Sequence, residues 1–100
     1  MTVCRRRDIP RRRGWPVTAG DKRIAVFDVG GQLLAIDNTC LHVGNPIDDG
    51  FVQGRYVTCP WHGWRYDLRT GELMTAFGRR PGLRTYPVRV EGDLVQVEVE

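Results

Sequence analysis

The last part of the chain alternates apolar and polar residues with a period of two. Val88 and Val90 alternate with Arg89 and Glu91, Gly92-Asp93 offers a turn, and Val95, Val97 and Val99 alternate with Gln96, Glu98 and Glu100. A strand with that period turns one face to a core and the other to water, so the segment is predicted to be a hairpin. Ile24 to Val29 and Gln32 to Asp37 flank Gly30-Gly31, the dipeptide type that closes a two-residue hairpin. Tyr56 to Cys59 and Trp64 to Leu68 read as shorter strands, with Arg69-Thr70-Gly71 as a turn. No segment sustains a 3.6-residue period, and no internal repeat is present. The pattern predicts an all-β protein, an antiparallel sandwich or small barrel. Trp15, Phe27, Phe51, Tyr56, Phe77 and Tyr86 are expected as core or edge aromatics, and Asp48, Asp49 and Asp67 as turn formers.

A chain of 100 residues, 41% hydrophobic and 27% charged, fits one domain with one modest core and leaves no room for a second catalytic domain. It has no apolar run of the roughly eighteen residues a membrane-spanning helix needs. Its start, Met-Thr-Val-Cys-Arg-Arg-Arg, lacks the apolar stretch of a secretion signal. No membrane association and a cytoplasmic location are the expectations.

The chemistry is concentrated in two short stretches, Cys40-Leu41-His42 and, after sixteen intervening residues, Cys59-Pro60-Trp61-His62, which use both histidines of the protein. Two thiolates and two imidazoles suit iron or zinc far better than magnesium or calcium, which take oxygen ligands. Each stretch is too short to be anything but a tight loop, so each delivers one sulfur and one nitrogen to the same small volume, and two facing loops make a clamp. Gly44, Gly63 and the fixed torsion of Pro60 suit a backbone that must turn sharply there. Backbone N–H groups left free in such loops are available to the sulfurs. Structural zinc is the rival, although zinc modules usually pair two cysteines in one loop and two histidines in the other. With Cys40 and Cys59 assigned to metal, Cys4 remains alone and has no internal disulfide partner.

The C-x-H…C-x-x-H pattern resembles the fingerprint of the Rieske iron-sulfur proteins, and the likeness runs through Gly44, Pro60 and Gly63-Trp64-Arg65-Tyr66-Asp67-Leu68-Arg69-Thr70-Gly71, about residues 38 to 72. The resemblance implies one [2Fe–2S] cluster per chain, with Cys40 and Cys59 on one iron and His42 and His62 on the other. It implies the corresponding fold: a base of residues 1–37 and 77–100 with a cluster-binding insert of about 38–76. Gly44, Pro60, Trp61, Gly63, Trp64 and Tyr66 are candidate neighbours of the cluster. Trp61 and Trp64 bracket His62 as shields or as an apolar rim, and the Tyr66 phenol is placed to donate to a ligand sulfur. High-potential relatives carry an extra, bridged cysteine in each loop and a serine aimed at a sulfide; here those positions hold Asn45, Trp61 and Trp64, which implies the low-potential branch.

Neither histidine is left over for a mononuclear iron site, and Gly30-Gly31 opens no helix that could bind a dinucleotide. The chain is therefore expected to be no enzyme by itself, which leaves one-electron transfer between other proteins; the family resemblance implies a ferredoxin that passes those electrons from a flavin-dependent reductase to a terminal oxygenase. The small subunit of an NAD(P)H-dependent nitrite reductase, bound to its large subunit, is the alternative.

The net charge of +3 is unevenly spread, with six of the fifteen basic residues in Arg5 to Arg7 and Arg11 to Arg13, and nine basic against eleven acidic residues from 15 to 100. No aromatic stacking platform accompanies these arginines, so nucleic acid is not the expected partner. The plainer reading is a solvated strand and turn around Asp8-Ile9-Pro10; the functional one is attraction of an acidic redox partner.

Overall fold

A computed structural model describes residues 1–41, 44–61 and 63–99. Twelve strands lie among them: β1 (Thr2–Arg5), β2 (Trp15–Ala19), β3 (Lys22–Val29), β4 (Gln32–Asp37), β5 (Phe51–Gln53), β6 (Tyr56–Thr58), β7 (Arg65–Asp67), β8 (Leu73–Thr75), β9 (Gly78–Arg80), β10 (Thr85–Tyr86), β11 (Val88–Glu91) and β12 (Leu94–Val97). They form three antiparallel sheets, ordered β1-β12-β11, β10-β4-β3-β2 and β5-β6-β7-β8-β9. Among the described residues no helix is long and apolar enough to cross a membrane.

The layering follows from β3, whose four residues Ile24 to Phe27 are all at most 1% exposed. In a strand alternate side chains face opposite ways. Ile24 and Val26 therefore join Ala35, Tyr86, Val95 and Val97 in one core, under the sheet that β12 centres. Ala25 and Phe27 join Ile36, Val57, Tyr66 and Leu68 in a second core, against the five-stranded sheet, and Cys40 and Cys59 belong to this second core. The β10-β4-β3-β2 sheet is thus sandwiched, with the cysteines on one side of it and a purely structural core on the other.

Both predicted hairpins form. Gly30 and Gly31 have φ of 60° and 93°, the two positive values of a turn whose twist matches the strands it joins, and Val29 faces Gln32 across it. At the C-terminus Val88 pairs with Val97 and Glu91 with Leu94. Val95 and Val97 are buried, but Val90 is 40% exposed because β11 is an edge strand. Of the aromatics, Phe27 and Tyr86 are core, whereas Phe51 and Phe77 are 68% and 92% exposed. Those two lie on the edge strand β5 and in the β8–β9 turn, where period and composition give no cue to burial.

The basic N-terminal stretch is a short 3-10 turn, Arg6–Asp8, followed by bends. Its two arginine triplets meet different surroundings. Arg5 bonds Asp93 at 2.6 Å, and Arg6 donates to the Gly31 carbonyl at 3.0 Å with Asp28 nearby. Arg13 instead meets Asp49 at 3.3 Å.

Candidate metal centre

Cys40 follows β4 by three residues, and Cys59 directly follows β6. Both side chains are essentially inaccessible, 0% and 1% exposed. His42 and His62 lie outside the described residues, so the structure describes the sulfur half of the expected ligand set.

The two cysteine loops are closed by the same pair of backbone bonds. Cys40 N–H donates to the Asn45 carbonyl and Gly44 N–H to the Cys40 carbonyl, both at 2.7 Å. Cys59 N–H donates to the Trp64 carbonyl at 2.7 Å, and Gly63 N–H to the Cys59 carbonyl at 3.0 Å. Gly44 and Gly63, each four residues after its cysteine, have φ of 78° and 73°, a left-handed conformation that side chains with a Cβ rarely adopt. The glycine requirement expected at these positions is therefore the requirement of one six-residue loop used twice. These four N–H groups are spent on closing the loops, so the sulfurs must look elsewhere for donors.

Tyr66 is one such donor. It is fully buried on β7, and its hydroxyl sits 3.5 Å from Cys40 Sγ while accepting the Leu41 N–H at 3.0 Å. With its lone pair occupied by that N–H, the phenol directs its own proton toward the sulfur, and a thiolate there can only accept. Burial raises the pKa of Tyr66 well above that of a free phenol, and the bond to Cys40 and the charge of both cysteines push the same way, against a smaller lowering by the Leu41 N–H. The group stays protonated and remains a donor.

Asn38 pins the first loop from behind, and Asp67 ties together the sheet that carries the second. Asn38, 4% exposed, accepts the N–H groups of Ile47 and Asp48 at 2.8 and 3.0 Å and donates to the Asp48 carboxylate at 2.8 Å, tying together the ends of the first loop. Asp67, next to Tyr66, is wholly buried. One of its oxygens accepts from Arg55 Nη2 and Arg79 Nη1, both at 2.7 Å, and the other accepts the Arg69 N–H at 2.9 Å. Burial alone would raise its pKa; the bonds from Arg79, the Arg69 N–H and Arg55 outweigh that and hold it below the usual carboxylate range. Asp67 is a turn former as expected, and also the hub of a buried ion-pair network, which the sequence reading missed. Glu72 extends that network through Arg79 at 3.1 Å.

Trp64 is half-buried against the core that holds the cysteines. Trp61, by contrast, is 64% exposed and Leu41 52%. Trp61 and Pro60 of the second loop line a shallow groove with Pro46, Asp48 and Asp49, which follow the first loop in the chain.

Two inaccessible thiols in matched tight loops, one facing a fixed phenol donor, suit a soft metal centre and fit an iron-sulfur cluster. Residues 1–87 match the family described as Rieske [2Fe-2S] domain. The chain belongs to this family, and the cofactor it carries is a Rieske-type [2Fe–2S] cluster. A ferredoxin component of the naphthalene 1,2-dioxygenase system of Pseudomonas aeruginosa is 36% identical over 92% of this chain and 88% of its own length. Among solved structures, the Sphingomonas yanoikuyae B1 ferredoxin superposes with a TM-score of 0.88 at 28% identity, covering 100% of this chain and 98% of that one. The complex of reduced oxygenase and oxidised ferredoxin in carbazole 1,9a-dioxygenase contains a chain matched with a TM-score of 0.84 at 28% identity, covering 98% of this chain and 100% of that one. A protein described as a nitrite reductase NADPH small subunit matches with a TM-score of 0.84 at 18% identity, covering 99% of this chain and 97% of that one, a likeness of fold alone.

Proposed function

We propose that Cys40 and Cys59 hold one iron of the cluster and His42 and His62 the other, and that the protein carries single electrons to the terminal oxygenase of an aromatic-ring dioxygenase system. The observation that carries this reading is the pair of matched loops, which presents the two cysteines together, in a chain most of which aligns with ferredoxin components of such systems. When bound, the cluster takes up and releases one electron. The chain's own residues hold the sulfurs out of water, direct the Tyr66 proton to Cys40 Sγ, and present the exposed Trp61 of the second loop at the groove it lines with Pro46, Asp48 and Asp49.

A flavin-dependent reductase is the proposed electron source, and the cytoplasm the proposed location. The insert read as residues 38–76 is proposed as the cluster-bearing unit, on a base of 1–37 and 77–100; its sheet continues to Arg80. The nitrite reductase reading has the shared fold as its support, and a large subunit carrying siroheme that co-purifies with the protein would establish it instead.

The test begins with the purified protein, which should be red-brown with two irons and two acid-labile sulfides per chain. His42→Ala and His62→Ala should each lose or convert the chromophore. Colourless protein carrying stoichiometric zinc after anaerobic purification, or wild-type spectra in either variant, would overturn the assignment. Mixed with NAD(P)H alone the protein should do nothing; a flavin reductase should reduce it and an oxygenase of matching type reoxidise it.

A further inference from the structure

The two arginine triplets do different work. Arg5 and Arg6 are engaged by Asp93, Asp28 and the Gly31 carbonyl, at the turns of two hairpins. Arg11 to Arg13 are brought to the groove beside the second cysteine loop: Gly14 N–H donates to the Asp48 carbonyl at 2.8 Å, and Arg13 meets the Asp49 carboxylate at 3.3 Å. Asp48 and Asp49 are walls of the groove that Trp61, Pro60 and Pro46 complete. Chain connectivity keeps Arg11 and Arg12 within about 8 Å of Arg13, at 3.8 Å per residue. On this rim Arg13 meets Asp49, and the Asp48 carboxylate accepts from Asn38. Arg11 and Arg12 are exposed, and no ion pair within the chain involves them among the described residues. They stand out against a body, residues 15–100, with nine basic and eleven acidic residues.

We infer that Trp61 forms the apolar centre, and Arg11 and Arg12 the charged rim, of a docking face that receives an acid-rimmed recess on the terminal oxygenase. This rests on the function proposed above, because the face has a use only if electrons leave by the cysteine loops. Charge complementarity selects the occupant. Two arginines beside an exposed aromatic steer and hold a surface of carboxylates, whereas a basic surface is repelled. Arg5 to Arg7 belong to the other side of this division and make no part of the face.

The experiment measures electron exit from cluster-loaded protein, reduced with dithionite, by stopped flow. Each reduced protein gives one electron to ferricyanide, which becomes ferrocyanide, and in parallel to a tris(phenanthroline)cobalt(III) cation, which becomes cobalt(II). In Arg11→Glu/Arg12→Glu the rate with the anion should fall about tenfold at low salt, the rate with the cation should rise, and both differences should close at high salt. Arg7→Glu/Arg89→Glu changes the net charge equally and should move both rates far less. With the terminal oxygenase of the naphthalene system served by the 36% identical relative as acceptor, Arg11→Glu/Arg12→Glu and Trp61→Ser should each slow reoxidation. Trp61→Ser should leave the ferricyanide rate in place. Equal effects of the two double reversals, or oxygenase rates indifferent to Trp61 and to salt, would overturn the docking face while the function stands. Protein isolated without the iron-sulfur chromophore would overturn both.

Discussion

Tyr66 decides how the electron's energy is set at the scale of one residue. Reduction adds negative charge, and a proton pointed at Cys40 Sγ favours the reduced form. Among the described residues Leu41 N–H fixes the orientation of that phenol, so the donor is preorganised rather than recruited. Tyr66→Phe keeps the ring in the core and removes only the bond. A single neutral hydrogen bond contributes on the order of 1 kcal/mol, and a tenfold change in a one-electron equilibrium is about 59 mV, so the potential should fall by tens of millivolts. Spectroelectrochemical titration of the two proteins reads this directly; an unchanged potential would remove Tyr66 from the tuning. The wild-type value itself should lie toward the low end of the range of about −150 to +300 mV, since Asn45, Trp61 and Trp64 supply neither bridged cysteines nor a serine hydroxyl.

At the scale of elements, Asp67 ties together the turns and strands of the five-stranded sheet. Its carboxylate is buried while the Arg55 and Arg79 side chains are 36% exposed, so the pair is desolvated on one side only. Removing one partner of a buried pair costs roughly 3–5 kcal/mol, and the exposed guanidiniums place Asp67→Ala near the lower figure. Because the folded state holds this carboxyl below its ordinary value, its contribution is complete above the unfolded pKa of about 4 and is lost as pH falls through the folded value. Denaturation from pH 7 down to pH 2 should therefore show wild type and Asp67→Ala converging in acid; a constant difference would assign the effect to packing. The hairpins were legible in the sequence because their signals are local: alternation in β3, β4 and β12, and glycines between. The cysteine loops were legible for the same reason, with each glycine four residues from its cysteine. Asp67 and Asn38 were not. Arg55 and Arg79 each lie twelve residues from Asp67, and Ile47 and Asp48 lie nine and ten from Asn38. A polar residue at a turn reads alike whether it faces water or anchors a buried network. Phe77 misleads in the opposite sense, an apolar side chain that the fold leaves outside in a turn, whereas Phe51 falls on an edge strand as expected.

Across the whole molecule, the sandwiched sheet separates two cores with different dependence on the cofactor. The core of Ile24, Val26, Ala35, Tyr86, Val95 and Val97 contains none of the proposed ligands. The core of Phe27, Ile36, Val57, Tyr66 and Leu68 includes Cys40 and Cys59, whose sulfurs lose their metal when the cluster is removed. β3 and β4 border both, yet their hydrogen bonds to each other run along six paired positions from Ile24–Asp37 to Val29–Gln32 and require no metal. The strands β6 and β7 pair at only three positions, Tyr56–Asp67 to Thr58–Arg65, and lead directly into the second loop. Local opening follows the least supported unit first. Cluster removal should therefore accelerate amide exchange in β6 and β7 by at least about tenfold, a loss of about 1.4 kcal/mol of local stability, and leave β3, β4 and β12 protected. Mass-spectrometric exchange on loaded and cluster-free protein measures it. Uniform loss of protection in all three sheets would mean that the cluster holds the molecule together as one cooperative unit; preserved exchange on the base alone would mean that the base is a scaffold able to wait for its cofactor.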